Sequence, residues 1–436
     1  MGAISFAALG NVFRIPEIRK KLLFTFAMLA LYRIGSFITV PGLDAQAIQE
    51  FFEGQGGVFG LLNLWTGGGL SNAAIFGLGI MPYITASIIM QLMTVVVPSL
   101  EKLQKEGEVG YQKINKITRQ LTVVLAAMQA IGYFFLFRTQ STQGGQPILP
   151  ADYELVSVAG IARMLLIVIS MTAGTVLLMW IGELITQRGI GNGISLLIFA
   201  SILAAFPAGW QAWINMAALP KVLLPVLILL VIAAVVFIQE GQRRIPVQYA
   251  KRMVGRRMTQ GGSTYLPMRV NMAGVIPIIF ATALLAFPAT LVQYSQSEFI
   301  TSLGNFLSPT NYSGLAIEAV MIILFTYFYT LVQFNPVDQA DNLKKYGGFI
   351  PGVRPGQPTA AYLNRVLTRL TLPGALYLAI LVAIPSILIR EFGFAPGVAG
   401  ALGGTTVLIV VGVALDSMRQ MESQLVMRNY EGFLNK

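Results

Sequence analysis

Cysteine and histidine are both absent from the 436 residues. Disulfides, thiol nucleophiles, imidazole acid–base catalysis and His- or Cys-ligated metal centres are excluded with them. Charge is scarce too: 11% of residues are Asp, Glu, Lys or Arg, with 30 bases against 19 acids and a net charge of +11. Such a chain is neither a soluble enzyme nor a disordered polymer. It has no G-x-x-x-x-G-K-[ST] phosphate loop, no catalytic dyad, and nothing that calls for a cofactor or metal, so no catalytic residue is expected. Acids near a membrane midplane, which ion-coupled carriers use, are missing as well. Glu183 and Glu318 come nearest, while the others fall at span ends or in loops. A cleavable signal peptide is not expected, because the apolar stretch Ile4 to Leu9 is short and a basic cluster follows it. Phe6 stands where a myristoylation motif wants Ser or Thr.

What the chain does have is apolar length. Continuous runs lie at 22–40, 73–97, 121–137, 156–181, 190–206, 222–238, 272–292, 316–334, 372–389 and 398–415, in a chain that is 55% hydrophobic. A bilayer core about 30 Å thick needs roughly 20 such residues per helix. The runs do not alternate, so helices rather than barrel strands are expected to satisfy the backbone in lipid. Of the 30 Lys and Arg, all but Arg33, Arg138, Arg163, Lys221 and Arg390 fall on alternate connecting segments. The positive-inside rule then predicts a multi-pass protein of ten spans with both termini cytoplasmic.

Division near Pro207 to Pro220 leaves five spans on each side that start from opposite faces, so any likeness between the halves is an inverted repeat. The expected segments are a cytoplasmic N-terminus (1–21), a first half (22–206), an outer connection (207–221), a second half (222–415) with cytoplasmic loops at 239–270 and 335–371, and a cytoplasmic tail (416–436). After the first span, glycines at 54, 56, 57, 60 and 67–69 interrupt an apolar stretch with Val58, Phe59, Leu61, Leu62, Leu64 and Trp65. It reads as a short helix that enters the membrane without crossing; the alternative is a glycine-rich outer loop. Irregular backbone at depth is tolerated only inside protein or a wet cavity. Gly189-Ile190-Gly191-Asn192-Gly193 reads as a tight turn opening the fifth span. Thr85, Ser87, Gln91, Gln129 and Asn271 are polar residues within spans, suited to interhelical hydrogen bonds.

The two long basic loops carry more charge than orientation requires. The first holds Arg243, Arg244, Lys251, Arg252, Arg256 and Arg257, and the second carries Arg354 between Gly352 and Gly356. They could anchor to anionic headgroups or dock an acidic partner such as RNA, whose phosphates Arg engages bidentately.

Seven ordered blocks then point to one family. They are Arg33 to Phe37, Gly79 to Ile84, Arg188 to Ser195, Gln242 to Arg252, Asn271 to Pro277, Ala340 to Lys345 and Pro351 to Gly356. Over nearly its whole length the chain resembles the SecY family of protein-conducting channels. The resemblance implies an all-α membrane protein of ten transmembrane helices in two inverted five-helix halves, with a re-entrant plug helix at about 57–70. Matched motif by motif, it implies a pore ring at Ile80, Ile84, Ile194, Ile198, Ile279 and Ile409, and a plug including Gly57. It also implies a lateral gate between the second and seventh spans, where Thr85, Ser87, Gln91, Gln129 and Asn271 are its candidate seam.

The implied location is the cytoplasmic membrane, and the implied function is translocation of unfolded secretory proteins, with lateral release of apolar helices into lipid. The implied partners are SecE and SecG subunits, the SecA ATPase, the ribosome through rRNA contacts on the basic loops, signal sequences and preproteins, and membrane lipids. A secondary transporter with inverted repeats is the alternative.

Overall fold

The computed structural model describes residues 15–53, 63, 65–139, 148–149, 158–249, 252–254, 257–259, 262–282, 284–285, 302, 306–307, 311–392 and 404–434. Helices dominate: α1 (Pro16–Gly35), α2 (Ala45–Glu53), α3 (Met81–Val96), α4 (Pro98–Lys105), α5 (Glu108–Thr139), α6 (Val158–Arg188), α7 (Gly193–Ile214), α8 (Ala218–Glu240), α9 (Tyr312–Gln333), α10 (Pro336–Lys345), α11 (Gln357–Phe392) and α12 (Gly404–Leu434). Residues 276–282 are helical as well. Among the described residues, six helices are long and apolar enough to cross a membrane, or seven if α3 and α4, bent by 98°, form one broken span.

The helices run past the apolar stretches that announced them. α5 begins at Glu108, α11 at Gln357, and α12 continues to Leu434 through what was expected to be a tail. Apolar length measures the bilayer, whereas good helix formers such as Glu, Lys and Gln prolong a helix into water. The opposite holds at 73–97, where residues 66–73 and 75–80 are turns and α3 starts only at Met81. Gly79 sits at φ +59, a left-handed conformation that ends regular structure, and Pro82 suits the first helical turn.

The turn before α7 is as expected. Gly191 adopts φ +88, and the Asn192 side chain caps α7 by accepting from the backbone N–H of Ile194 at 3.0 Å. A Cβ on Gly193 would lie 2.0 Å from the Gly182 carbonyl oxygen, so glycine is what lets α7 approach α6 this closely.

The expectation of an all-helical chain needs one amendment. The two basic loops fold together as an antiparallel sheet of order β4-β1-β5, with β1 (Gln242–Tyr249), β4 (Ser263–Arg269) and β5 (Gly348–Phe349); β2 (Arg252–Val254) and β3 (Arg257–Thr259) form a separate pair. Ile245 faces Leu266 across the register, and Gln248 faces Phe349. Alternation explains the strand: Ile245 and Val247 are buried while Arg244, Pro246 and Gln248 are exposed. The buried face packs on Leu363, Val366 and Leu367 of α11.

A candidate pore and its approaches

All six isoleucines of the expected ring belong to one apolar cluster. Ile80 lies just before α3, Ile84 on its first turn, Ile194 and Ile198 four residues apart on α7, Ile279 in the 276–282 helix and Ile409 on α12. Ile80, Ile198, Ile279 and Ile409 are buried, and Ile84 and Ile194 pack against them half-buried. Tyr32 from α1, Phe76 from the turn segment and Ile181 from α6 close the cluster, so it draws on both halves of the chain. Six aliphatic side chains provide no fixed charge and no hydrogen-bonding group. Water and ions gain nothing by entering such a cluster.

Of the expected plug residues, Gly57, Val58, Phe59, Leu61, Leu62 and Leu64 lie outside the described residues, and Trp65 is half-buried. The segment that follows is tied down closely. Its backbone pairs with the residues after α1, with Val40 N–H donating to the Ala73 carbonyl at 2.8 Å and Ile75 N–H to the Ile38 carbonyl at 2.8 Å. The Arg33 guanidinium donates to the Gly67 carbonyl at 2.7 Å and lies 4.6 Å from the Phe37 ring centroid. Tyr32 Oη bonds both the Thr66 carbonyl and Ser201 Oγ. Tyr32 and Ser201 were missed by motif reading, but Arg33 carried a signal. A charge inside an apolar run is expensive, and it marks a partner to be found.

The polar residues of the expected seam are placed less uniformly. Thr85 donates to the Met81 carbonyl of its own helix at 3.0 Å. Asn271 is buried and closes its own turn, accepting from Gly274 N–H at 2.9 Å and donating to the Gly274 carbonyl at 3.1 Å, with Gly274 at φ +63. One of its two amide hydrogens is thus used within the turn. Gln91 has a buried Oε1 with no partner among the described residues, while Ser87 and Gln129 are half-buried on α3 and α5, two helices that pack together.

On the basic face, Arg243 and Arg244 are exposed on β1. Arg354 is exposed on a turn held by Gly352 at φ +82 and Gly356 at φ +99, with the Thr359 hydroxyl donating to the Arg354 carbonyl at 2.8 Å. The β1–β5 pairing makes one surface of the two loops. Arg252 and Arg257 lie on β2 and β3, and Lys251 and Arg256 lie outside the described residues. Of the two acids singled out, Glu183 pairs with Arg119 at 3.4 Å and Glu318 is buried on α9. Among the described residues no group of three His, Cys, Asp or Glu could hold a metal ion.

Known proteins share both sequence and fold with this chain. The translocase subunit SecY of Streptomyces coelicolor is 46% identical over 445 residues, covering 98% of this chain and 99% of the relative. That of Corynebacterium glutamicum is also 46% identical, covering 98% and 100%. Among solved structures, a protein-conducting channel superposes with TM-score 0.60 at 18% identity, over 96% of this chain and 97% of the other. A SecY structure, described as one whose plug domain stabilises the closed state of the translocation channel and maintains a membrane seal, superposes with TM-score 0.63 at 19% identity over the same shares. The channel protein of a canine ribosome–channel complex gives 0.55 at 18% identity, over 96% and 97%. With the SecY family model matching residues 74–418, the chain belongs to the SecY family.

Proposed function

We propose that this chain is the central subunit of a protein-conducting channel that passes unfolded secretory proteins across the cytoplasmic membrane and releases apolar helices sideways into lipid. The observation that carries the reading is the single apolar cluster built from Ile80, Ile84, Ile194, Ile198, Ile279 and Ile409, on elements from both halves. An aliphatic collar deforms around unlike side chains, binds none of them strongly, and resists ions when empty. A passing signal sequence favours the open state only by binding it better than the closed one. The seam around Thr85, Ser87, Gln91, Gln129 and Asn271 suits that role, because polar contacts in membranes average below about 1 kcal/mol.

The reading extends to partners. The sequence carries no phosphate-loop motif, and in this reading the driving force comes from the SecA ATPase or a translating ribosome. Both dock on the surface of Arg243, Arg244 and Arg354, with Lys251, Arg252, Arg256 and Arg257 as further contacts. SecE and SecG clamp the halves, residues 57–70 plug the outer side, and both termini face the cytoplasm. The likeness to the canine ribosome–channel complex supports the ribosomal role.

The test is reconstitution of the complex into vesicles with SecA, ATP and a preprotein bearing a signal sequence. Protease-protected preprotein is expected inside. Ion-dependent solute uptake with no protected preprotein would favour a secondary transporter instead.

A further inference from the structure

Tyr32 Oη sits where three elements meet, and the hydroxyls there have too few hydrogens for the bonds they are placed to make. Tyr32 is buried on α1, its ring stacked on Phe76 with centroids 6.1 Å apart. Its Oη is 3.1 Å from the Thr66 carbonyl and 2.5 Å from Ser201 Oγ, which in turn is 2.9 Å from the Leu197 carbonyl on α7. These are three hydrogen bonds, but a tyrosine and a serine bring one hydrogen each. Only two can form at once.

Three arrangements use both hydrogens, but the one in which Tyr32 donates to Thr66 and Ser201 to Leu197 leaves two hydroxyl oxygens facing each other at 2.5 Å with no hydrogen between them, so two remain. In the first, Tyr32 donates to Thr66 and accepts from Ser201. In the second, Tyr32 donates to Ser201 while Ser201 donates to Leu197, and Thr66 is let go. Neither strands a buried hydroxyl hydrogen, the usual cost of breaking a buried polar contact. Thr66 loses little, because its carbonyl also accepts from Gly69 N–H at 3.2 Å.

The held position matters because it sits against the collar. A Cβ on Gly67, which adopts φ +64, would lie 3.0 Å from Tyr32 Oη and 3.1 Å from Ser201 Cα, so the backbone is drawn right up to both residues. A Cβ on Gly79, the residue before Ile80, would lie 3.0 Å from Thr66 Cγ2. Movement of Thr66 therefore loosens the contact beside the first ring residue.

We propose that Tyr32 and Ser201 form a two-position latch. It holds residues 66 and 67 against α1 and α7 in the closed channel, and exchange of hydroxyl donors releases them when a polypeptide enters. The proposal rests on the channel reading, in which this segment continues the plug.

The two positions make opposite demands on the two hydroxyls, and this is what an experiment reads. Tyr32→Phe removes the bond to Thr66 and favours release. Ser201→Ala removes the competing acceptor on α7, keeps the Thr66 carbonyl within reach of Tyr32 Oη and favours holding. In the reconstituted complex, transport of a preprotein with a shortened apolar signal segment is expected to rise roughly threefold to tenfold in Tyr32→Phe, the effect of one hydrogen bond, and to fall by a similar factor in Ser201→Ala. Resting ion conductance in planar bilayers should move in the same two directions. Shifts of the same sign in both variants, or parental behaviour of Tyr32→Phe, would overturn the latch. If Tyr32→Phe does not accumulate, Ser201→Ala alone decides, since unchanged or increased transport contradicts the proposal. A parental complex that moves no intact preprotein would instead overturn the channel reading, and the latch with it.

Discussion

Isoleucine at a constriction works by what its side chain cannot do. It neither donates, accepts nor ionises, so a cluster of six leaves a passing chain nothing to stick to and an ion nothing to exchange for its water. Replacing Ile80, Ile198 and Ile409 together by Asn should therefore wet the collar, and a steady resting conductance in planar bilayers should appear where the parent is tight. Ion-tight variants that are inserted and folded would reduce these residues to ordinary packing. At this scale the sequence was informative only through blocks of several residues. A lone apolar Ile inside an apolar run carries no address, and the ring could be expected only from the family resemblance, with five members in or beside the matching blocks and Ile409 in none of them. Tyr32 and Ser201 stayed hidden because a hydroxyl in a span is common, and what distinguishes these two is their mutual geometry. Asn271, a candidate for the seam, uses part of its amide to hold Gly274.

Between residue and molecule, the elements most easily read were those that a bilayer dictates, since thickness and apolar length are the same quantity. The Gly191-Asn192 turn was also legible, because a left-handed glycine followed by a capping Asn is a local mechanism that needs no tertiary partner. The sheet was not. Burial alternates along Gln242 to Tyr249 but polarity does not, since Pro246 stands between Ile245 and Val247, and its partner β5 arrives almost a hundred residues later. Non-local pairing leaves no trace in a short window. One consequence is testable: a lesion on the buried side of the first loop should disable the second. Val247 is buried beside Ile245, Met268 and Ile350, so Val247→Asp places an unpaired charge there, at a cost of several kcal/mol unless the strand leaves its place. Binding of SecA or ribosomes to the variant complex is expected to weaken about as much as in Arg354→Glu, with membrane insertion retained. Parental affinity in Val247→Asp would mean that Arg354 is positioned by its own turn and not by the sheet.

Taken as a whole, the molecule is two halves joined at the apolar cluster, and α12 ties them a second time on the basic side. Arg419 donates to Glu240 at 2.7 Å at the end of α8, in the second half. One residue further on, Gln420 Oε1 accepts from Gly191 N–H in the first half, and Lys21, at the end of the N-terminal segment that leads into it, donates to Gln424 at 3.3 Å. Ile18 and Ile190 bury their side chains against Met421 and Leu425 of the same helix. The ion pair alone is part-exposed and should contribute at most about 1 kcal/mol, so Arg419→Glu is expected to be mild. The apolar patch is the stronger tie, because burying a Leu or Ile side chain stabilises by roughly 1.5–3 kcal/mol. The chain has no native cysteine, so a disulfide between Ile18→Cys and Leu425→Cys can be read without competing thiols. It should form readily under oxidation in the resting complex, since these residues share one packed cluster. If the halves part at this face during transport, the oxidised variant should export a long preprotein several-fold more slowly, and reduction should restore the parental rate. Full export by the crosslinked complex would place the moving boundary elsewhere and leave α12 as a fixed brace across both halves.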